Sequence, residues 1–171
     1  TQRRRLAVLV LLAVAGDRGL SRDKVLALIW PESEPARARH ALAQLVYAER
    51  RDLEAENLFL GVKTLRLNPQ LIQTDVALFE QACGRGDAGA AIALYRGAFL
   101  DGFHLPGSLE FEHWVESQRE RFAALAAEMS VREARAAGSR GDRVGAVSWW
   151  REAVRVDRYR TEHAIGLMHS M

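Results

Sequence analysis

The stretch Pro35–Arg51, PARARHALAQLVYAERR, decides how the rest of the chain is read. On a helix of about 3.6 residues per turn, Arg37, His40, Gln44, Tyr47 and Arg51 follow one another at steps of three and four, so they share a face. Ala38, Leu42, Leu45 and Val46 fall on the opposite face, and Leu53 extends it. An apolar back and a front of Arg, His, Gln and Tyr is the chemistry of a major-groove reader. Arginine bonds guanine in bidentate fashion, glutamine does the same with adenine, and tyrosine or histidine reaches phosphate. A polar face that only meets water is the common alternative, so the reading depends on the neighbouring segments.

Upstream, Arg3–Ala15 reads as a helix whose apolar density implies burial of most of its surface. Its apolar run Leu6–Ala15 is too short to span a bilayer. Three arginines precede that run, but Gly16-Asp17-Arg18-Gly19 follows it in place of the small-residue cleavage site of a signal peptide. Arg3, Arg4 and Arg5 stand at the exposed helix start, where positive charge opposes the dipole. They are either solvated or relieved by a phosphate. Gly16–Leu20 is a turn, and Ser21 is an N-cap for a short helix ending near Ile29 or Trp30, before Pro31. Val25, Leu26, Leu28 and Ile29 supply its buried side. Helix, turn, short helix, turn and long amphipathic helix make a helix-turn-helix arrangement with the third helix as reader.

Downstream, Asn57–Pro69, NLFLGVKTLRLNP, reads as a hairpin: Leu58, Phe59 and Leu60, a turn from Gly61 to Thr64, then Leu65, Arg66 and Leu67. A basic hairpin directly after a reading helix is the wing of a winged helix, with Lys63 at the tip and Arg66 on the return strand.

A helical region begins at Asp75–Cys83, and an internal repeat follows. GDAGAAIALYRGAFL from Gly86 matches GDRVGAVSWWREAVR from Gly141, 55 positions later, pairing Ala91 with Ala146, Tyr95 with Trp150, Arg96 with Arg151 and Ala98 with Ala153. Small residues there let helices approach, and the aromatic fills the groove between them, as in a tetratricopeptide (TPR) hairpin. The proline usual after the second helix is replaced by Arg158. Between the copies, FLDGFHLPGSLEFEHW breaks the helix at Gly102, Pro106 and Gly107, and Phe99, Leu100, Phe103 and Leu105 pin it to the core. Ser108 caps a long helix to about Ala137, with an apolar stripe of Trp114, Val115, Phe122, Leu125 and Met129. A last helix runs from about Thr161 to Met171 without a polar cap. The expected fold is mainly α: a winged helix-turn-helix with a short hairpin wing over residues 1–70, then a TPR-like α-helical repeat domain over 71–171.

Composition supports two parts. Residues 1–70 hold 12 Lys+Arg and 8 Asp+Glu, for +4, and residues 71–171 hold 12 and 14, for −2. A basic front and an acidic rear suit a polyanion-binding domain joined to a protein-binding one. The single cysteine, Cys83, is a small apolar filler and excludes a disulfide framework within the chain, which suits a reducing cytoplasm. No two of His40, His104, His113, His163 and His169 stand at a metal-binding spacing of four. Phosphate loops and nucleophile elbows are absent from the sequence. Glu112 and Glu116 lie a turn apart on a solvent-facing side, and the adjacent Trp149 and Trp150 read as one core ring and one ring at a repeat interface. The expectation is a non-enzyme with no metal and no cofactor.

Two segments carry a family resemblance. QRRRLAVLVLLAVAGDRGLSRDKVLALIWPESEPARARHALAQLVYAERRDL with LRLNPQLIQTDVALFE resembles the winged-helix domain of SARP-type (antibiotic regulatory protein) transcriptional regulators. ALYRGAFLDGFHLPGSLEFEHWVESQRERF is similar to the bacterial transcriptional activation domain that follows it in that family. The resemblance implies a cytoplasmic activator that binds direct repeats at promoters as a dimer and recruits RNA polymerase. It implies that helix 35–51 lies in the major groove of double-stranded DNA and that the 61–66 tip is the wing. Arg37, His40, Gln44, Tyr47 and Arg51 then become base or phosphate readers, Lys63 and Arg66 lie on the backbone, and Ser21, Arg22 and Lys24 start a helix where phosphate contact is common. The family has a β-sheet before the first helix, and this sequence starts after it, at Thr1, as a piece of a longer chain would. The competing reading is a TPR-like interaction adaptor without DNA binding, or a regulatory module of a larger multidomain protein.

Overall fold

The structure, a computed structural model, describes residues 2–157 and 160–171, so Thr1 and Arg158 lie outside the described residues. It is mainly helical with a small three-stranded antiparallel sheet. In order, α1 spans Gln2–Ala15, β1 Leu20–Ser21, α2 Arg22–Ile29, α3 Pro35–Asp52, β2 Phe59–Leu60 and β3 Thr64–Leu67. Then come α4 over Asp75–Arg85, α5 over Ala88–Leu94, α6 over Leu109–Ser139, α7 over Arg143–Val156 and α8 over Thr161–Ser170. The chain divides into two compact units. One comprises the residues up to Ala77 together with Gly102–Trp114, and the other Leu78–Asp101 with Val115–Met171. A division at residue 70 does not anticipate that 102–114 returns to the first unit.

In the first unit the sheet order is β1-β3-β2. Leu20 pairs with Leu65 and Ser21 with Thr64 on one side of β3, and Phe59 pairs with Leu67 and Leu60 with Arg66 on the other. Period-two alternation places Leu65 in the core and Arg66 in solvent. α1 lies against the sheet and α2, and α2 against α3. Ala7, Val8, Leu11 and Leu12 of α1, Val25 and Ile29 of α2, and Leu42 of α3 are almost wholly removed from water. Ser21 caps α2 by accepting from the Lys24 N–H at 3.2 Å, as its position predicts. α3 starts on Pro35, whose missing N–H costs nothing at the first turn, with Glu34 as the cap accepting from the Arg37 N–H at 3.0 Å. These backbone N–H bonds, with Ala36 first and Arg37 next, hold the Glu34 carboxyl below its usual range.

The returning segment is built into this unit. Ser108 Oγ accepts from the Phe111 N–H at 3.2 Å, capping α6, and donates to the Leu28 carbonyl. Leu105 and Phe111 are buried, the Phe103 ring lies 6.0 Å from Phe111, and Arg3 donates to the His104 carbonyl at 2.8 Å. Glu112 does not face open solvent, as the sequence suggests. It accepts from the Leu105 N–H at 2.7 Å and pairs with His104 Nδ1 at 2.9 Å.

In the second unit the Gly-Asp repeat is a repeated turn. Gly86 and Gly141 adopt φ of 74° and 75°, where glycine carries no Cβ penalty. Asp87 and Asp142 have φ, ψ of −83°, 85° and −80°, 82° and accept from the Ala90 and Gly145 N–H groups at 3.0 and 2.9 Å. Each aspartate N–H returns to a carbonyl of the preceding helix at 2.9 Å, Ala82 in one copy and Ala137 in the other. The copies then diverge. α5 ends at Leu94, so Tyr95 is a C-cap and Ala98 is exposed, whereas Trp150 and Ala153 lie buried within α7. Gly97 explains the stop, since glycine weakens a helix where α7 has good formers. Trp150 packs on Gly166 of α8, and Trp149 covers the cluster of Ala134, Trp150 and Ala153. Phe99 lies 5.2 Å from Phe122, while Arg119 Nε and Nη2 donate to the Phe99 and Leu100 carbonyls at 2.9 Å.

Candidate nucleic-acid interface

α3 separates as its spacing dictates. Ala38, Leu42, Leu45 and Val46 are buried, while Arg37, His40, Gln44, Tyr47 and Arg51 are exposed, Tyr47 at 67%. Leu53 does not extend the buried stripe: it caps the helix, 53% exposed. The position that extends the stripe is Glu49, which continues the series Ala38, Leu42, Leu45. A buried carboxylate needs a cation, and Arg5 supplies it, also meeting Asp52 at 2.8 Å. Arg5, although partly exposed, is therefore committed to two carboxylates and not free for a phosphate. Arg4 lies over the Trp30 ring at 5.8 Å, and Arg3 is bonded to His104. All three arginines at the start of α1 are engaged within the unit, through partners far along the chain that local sequence does not reveal.

The exposed face is uneven in its commitments. Arg51 donates to the Asp52 carboxylate at 2.8 and 3.0 Å, and this contact, ahead of that from Arg5, holds the Asp52 carboxyl below its usual range. Arg37, His40, Gln44 and Tyr47 make no side-chain hydrogen bond or ion pair with any described residue. Their donors and acceptors are open for a base or a phosphate.

The hairpin stands beside this helix because Arg50 Nη2 donates to the Phe59 carbonyl at 3.0 Å. Lys63 at its tip and Arg66 on β3 are exposed, as are Ser21 and Lys24 at the start of α2. Ser21 Oγ is occupied by its cap bond, and Arg22 Nε donates to the Val62 carbonyl at 2.7 Å. The tip turns on Gly61, at φ 87°, where an added Cβ would meet the Thr64 carbonyl oxygen at 2.0 Å. Glu49, Arg50 and Arg5 are the residues that sequence reading misses, and only Glu49 leaves a signal, as a charge in an apolar stripe.

No group of three or more His, Cys, Asp or Glu side chains among the described residues is arranged to hold a metal ion, and no described helix is long and apolar enough to cross a membrane. Burial pushes the Cys83 thiol up, away from a reactive thiolate. No protein-family model matches the chain, and no curated protein or solved structure matches it.

Proposed function

We propose that this protein is a DNA-binding transcription regulator, with a winged-helix unit that reads a promoter through α3 and a TPR-like unit that holds a protein partner. The observation that carries this reading is the face of α3. Four side chains suited to base edges and phosphates stand exposed and uncommitted, on a helix whose other side is buried and clamped by Arg5. The order α1, β1, α2, α3, β2, β3, with Lys63 and Arg66 on the hairpin, supports a wing beside the reader. Arg37 and Gln44 read bases in the major groove, His40 and Tyr47 reach bases or phosphates, and Lys63 and Arg66 engage the backbone. As the family resemblance implies, the protein acts as a cytoplasmic activator on direct repeats, as a dimer, and contacts RNA polymerase.

The repeated Gly-Asp turns and the exposed apolar side chains of Ile165 and Met168 on α8 support a protein-binding role for the second unit. The testing experiment is a titration against a random-sequence duplex across salt concentrations, followed by selection of a preferred site. A steep fall in affinity with salt supports the reading. Weak binding that does not respond to salt overturns it in favour of an interaction adaptor.

A further inference from the structure

Besides the pairing of β3 with β1, the wing is tied to the rest of its unit at three carbonyls. Arg50, on α3, holds the Phe59 carbonyl at the start of β2. Arg22, the first residue of α2, holds the turn itself: its backbone N–H donates to the Lys63 carbonyl at 3.2 Å and its Nε to the Val62 carbonyl at 2.7 Å. The turn buries no apolar side chain of its own, since Val62 is 83% exposed and Gly61 and Lys63 are exposed too. A hairpin tip whose side chains all face water samples many conformations unless its backbone is bonded elsewhere. Arg22 makes those bonds to the two peptides that flank the Lys63 Cα.

We infer that Arg22 is a positioning residue for the wing, which fixes the direction of Lys63, and not itself a phosphate contact. The inference rests on the DNA-binding reading for the role of Lys63, but the tie between Arg22 and the turn is testable without DNA. A flexible tip lets the Lys63 ammonium sweep a wide volume, and binding must then order it. A tip bonded at Val62 and Lys63 presents the ammonium already aimed, which lowers that cost.

The chemistry of the side chain provides the test. Glutamine has its amide nitrogen the same number of bonds from Cα as arginine Nε, so Arg22→Gln keeps a donor for the Val62 carbonyl and removes the charge. Lysine has a carbon at that position, so Arg22→Lys keeps the charge and removes the donor. In the free full chain, the NMR backbone order parameters of Val62–Thr64 are expected to fall in Arg22→Lys and Arg22→Ala and to match wild type in Arg22→Gln. With a random-sequence duplex, Arg22→Gln is expected to keep the wild-type salt dependence. Lys63→Ala loses about one released counterion, and adding Arg22→Ala to Lys63→Ala causes no further loss.

Order parameters that are the same in wild type, Arg22→Gln and Arg22→Lys would overturn the positioning role. So would a Gln variant that loses a counterion while the Lys variant keeps it, or losses from Arg22→Ala and Lys63→Ala that multiply. If the wild-type chain shows no salt-dependent DNA binding, the DNA reading falls and the phosphate role of the wing falls with it. The order-parameter measurement still decides whether Arg22 holds the turn. Gln and Lys are surface changes at a first helical turn, so a folded chain is expected in both, with the melting transition as the check.

Discussion

The guanidinium of Arg5 in α1 closes on the carboxylate of Glu49, 44 residues away on the inner side of α3. The same guanidinium reaches Asp52, so the first helix clamps the last turn of the candidate reader. The two ends of this pair are unequal: the Glu49 side chain is almost completely buried, and Arg5 keeps contact with water. Removing the cation leaves a buried carboxylate without its charge partner, whereas removing the carboxylate leaves an arginine with Asp52 and solvent. Arg5→Met is therefore expected to lower the melting temperature more than Glu49→Gln. The reverse order would mean that the clamp contributes little beyond packing.

Acid should release part of this clamp. Arg51 and Arg5 hold the Asp52 carboxyl below its usual value. A carboxyl whose folded pKa is depressed contributes stability that is fully present above the unfolded value, about 3.9, and is lost as pH falls through the lower folded one. The stability difference between wild type and Asp52→Asn should stay constant from neutral pH to about pH 5 and shrink below about pH 4. Urea titrations across that range measure it, and a difference that does not depend on pH would remove the electrostatic account.

Two glycines in the first unit should respond differently to alanine. At Gly61 the new Cβ would strike the Thr64 carbonyl and the residue would still need a φ of 87°, so Gly61→Ala is expected to cost about 2–3 kcal/mol and to disrupt the hairpin. At Gly16, φ is 56° but no atom lies within 4 Å of the new Cβ, so only the backbone penalty of about 1 kcal/mol applies. Denaturant unfolding of the two variants gives the comparison.

Asp87 and Asp142 cap their helices with the same backbone geometry, so their alanine variants should each cost about 1 kcal/mol, and asparagine should rescue most of it. Gly166→Ala is expected to be more damaging than either. Its Cβ would come within 2.6–2.7 Å of three atoms of the Trp150 indole, which sits in a packed cluster with Ala153 and Ala134. Tryptophan emission during unfolding reports on that contact.

If α3 reads bases, Arg37→Ala and Gln44→Ala should each reduce discrimination between the preferred site and a mismatched one by about 1–3 kcal/mol. Lys63→Ala should weaken binding to every sequence alike. Competition binding with selected and scrambled duplexes separates the two effects, and unchanged discrimination in the first pair would exclude a base-reading role for this face.

Features set by near neighbours in sequence were legible from it. The two faces of α3 follow from helical spacing, the α2 cap from Ser21, and the hairpin from Gly61 between short apolar runs, while the repeated Gly-Asp marks the start of each repeat copy without showing the turn it makes. Features set by remote partners were not. Arg3 is exposed as expected, but the three arginines of α1 look unpartnered until Glu49, Trp30 and His104 are brought to them. Glu112 looks solvated until the chain folds back to present the Leu105 N–H and His104. The end of α5 at Leu94 lies between these cases: the repeat alignment argues for a longer helix, and Gly97 against it. The uncommitted state of Arg37, His40, Gln44 and Tyr47 could not be read from sequence, because Arg51 on the same face is engaged and they are not.

The hydrogen bond from Ser108 to the Leu28 carbonyl joins residues 80 positions apart within one unit, and the unit is completed only by Gly102–Trp114. During synthesis on the ribosome, α1, α2, α3 and the hairpin all emerge before the residues that close them. The nascent first unit must therefore wait, with the sites of Leu105 and Phe111 unfilled, while Leu78–Asp101 is translated. Gene truncations placed after Ala77 would leave it permanently in that waiting state.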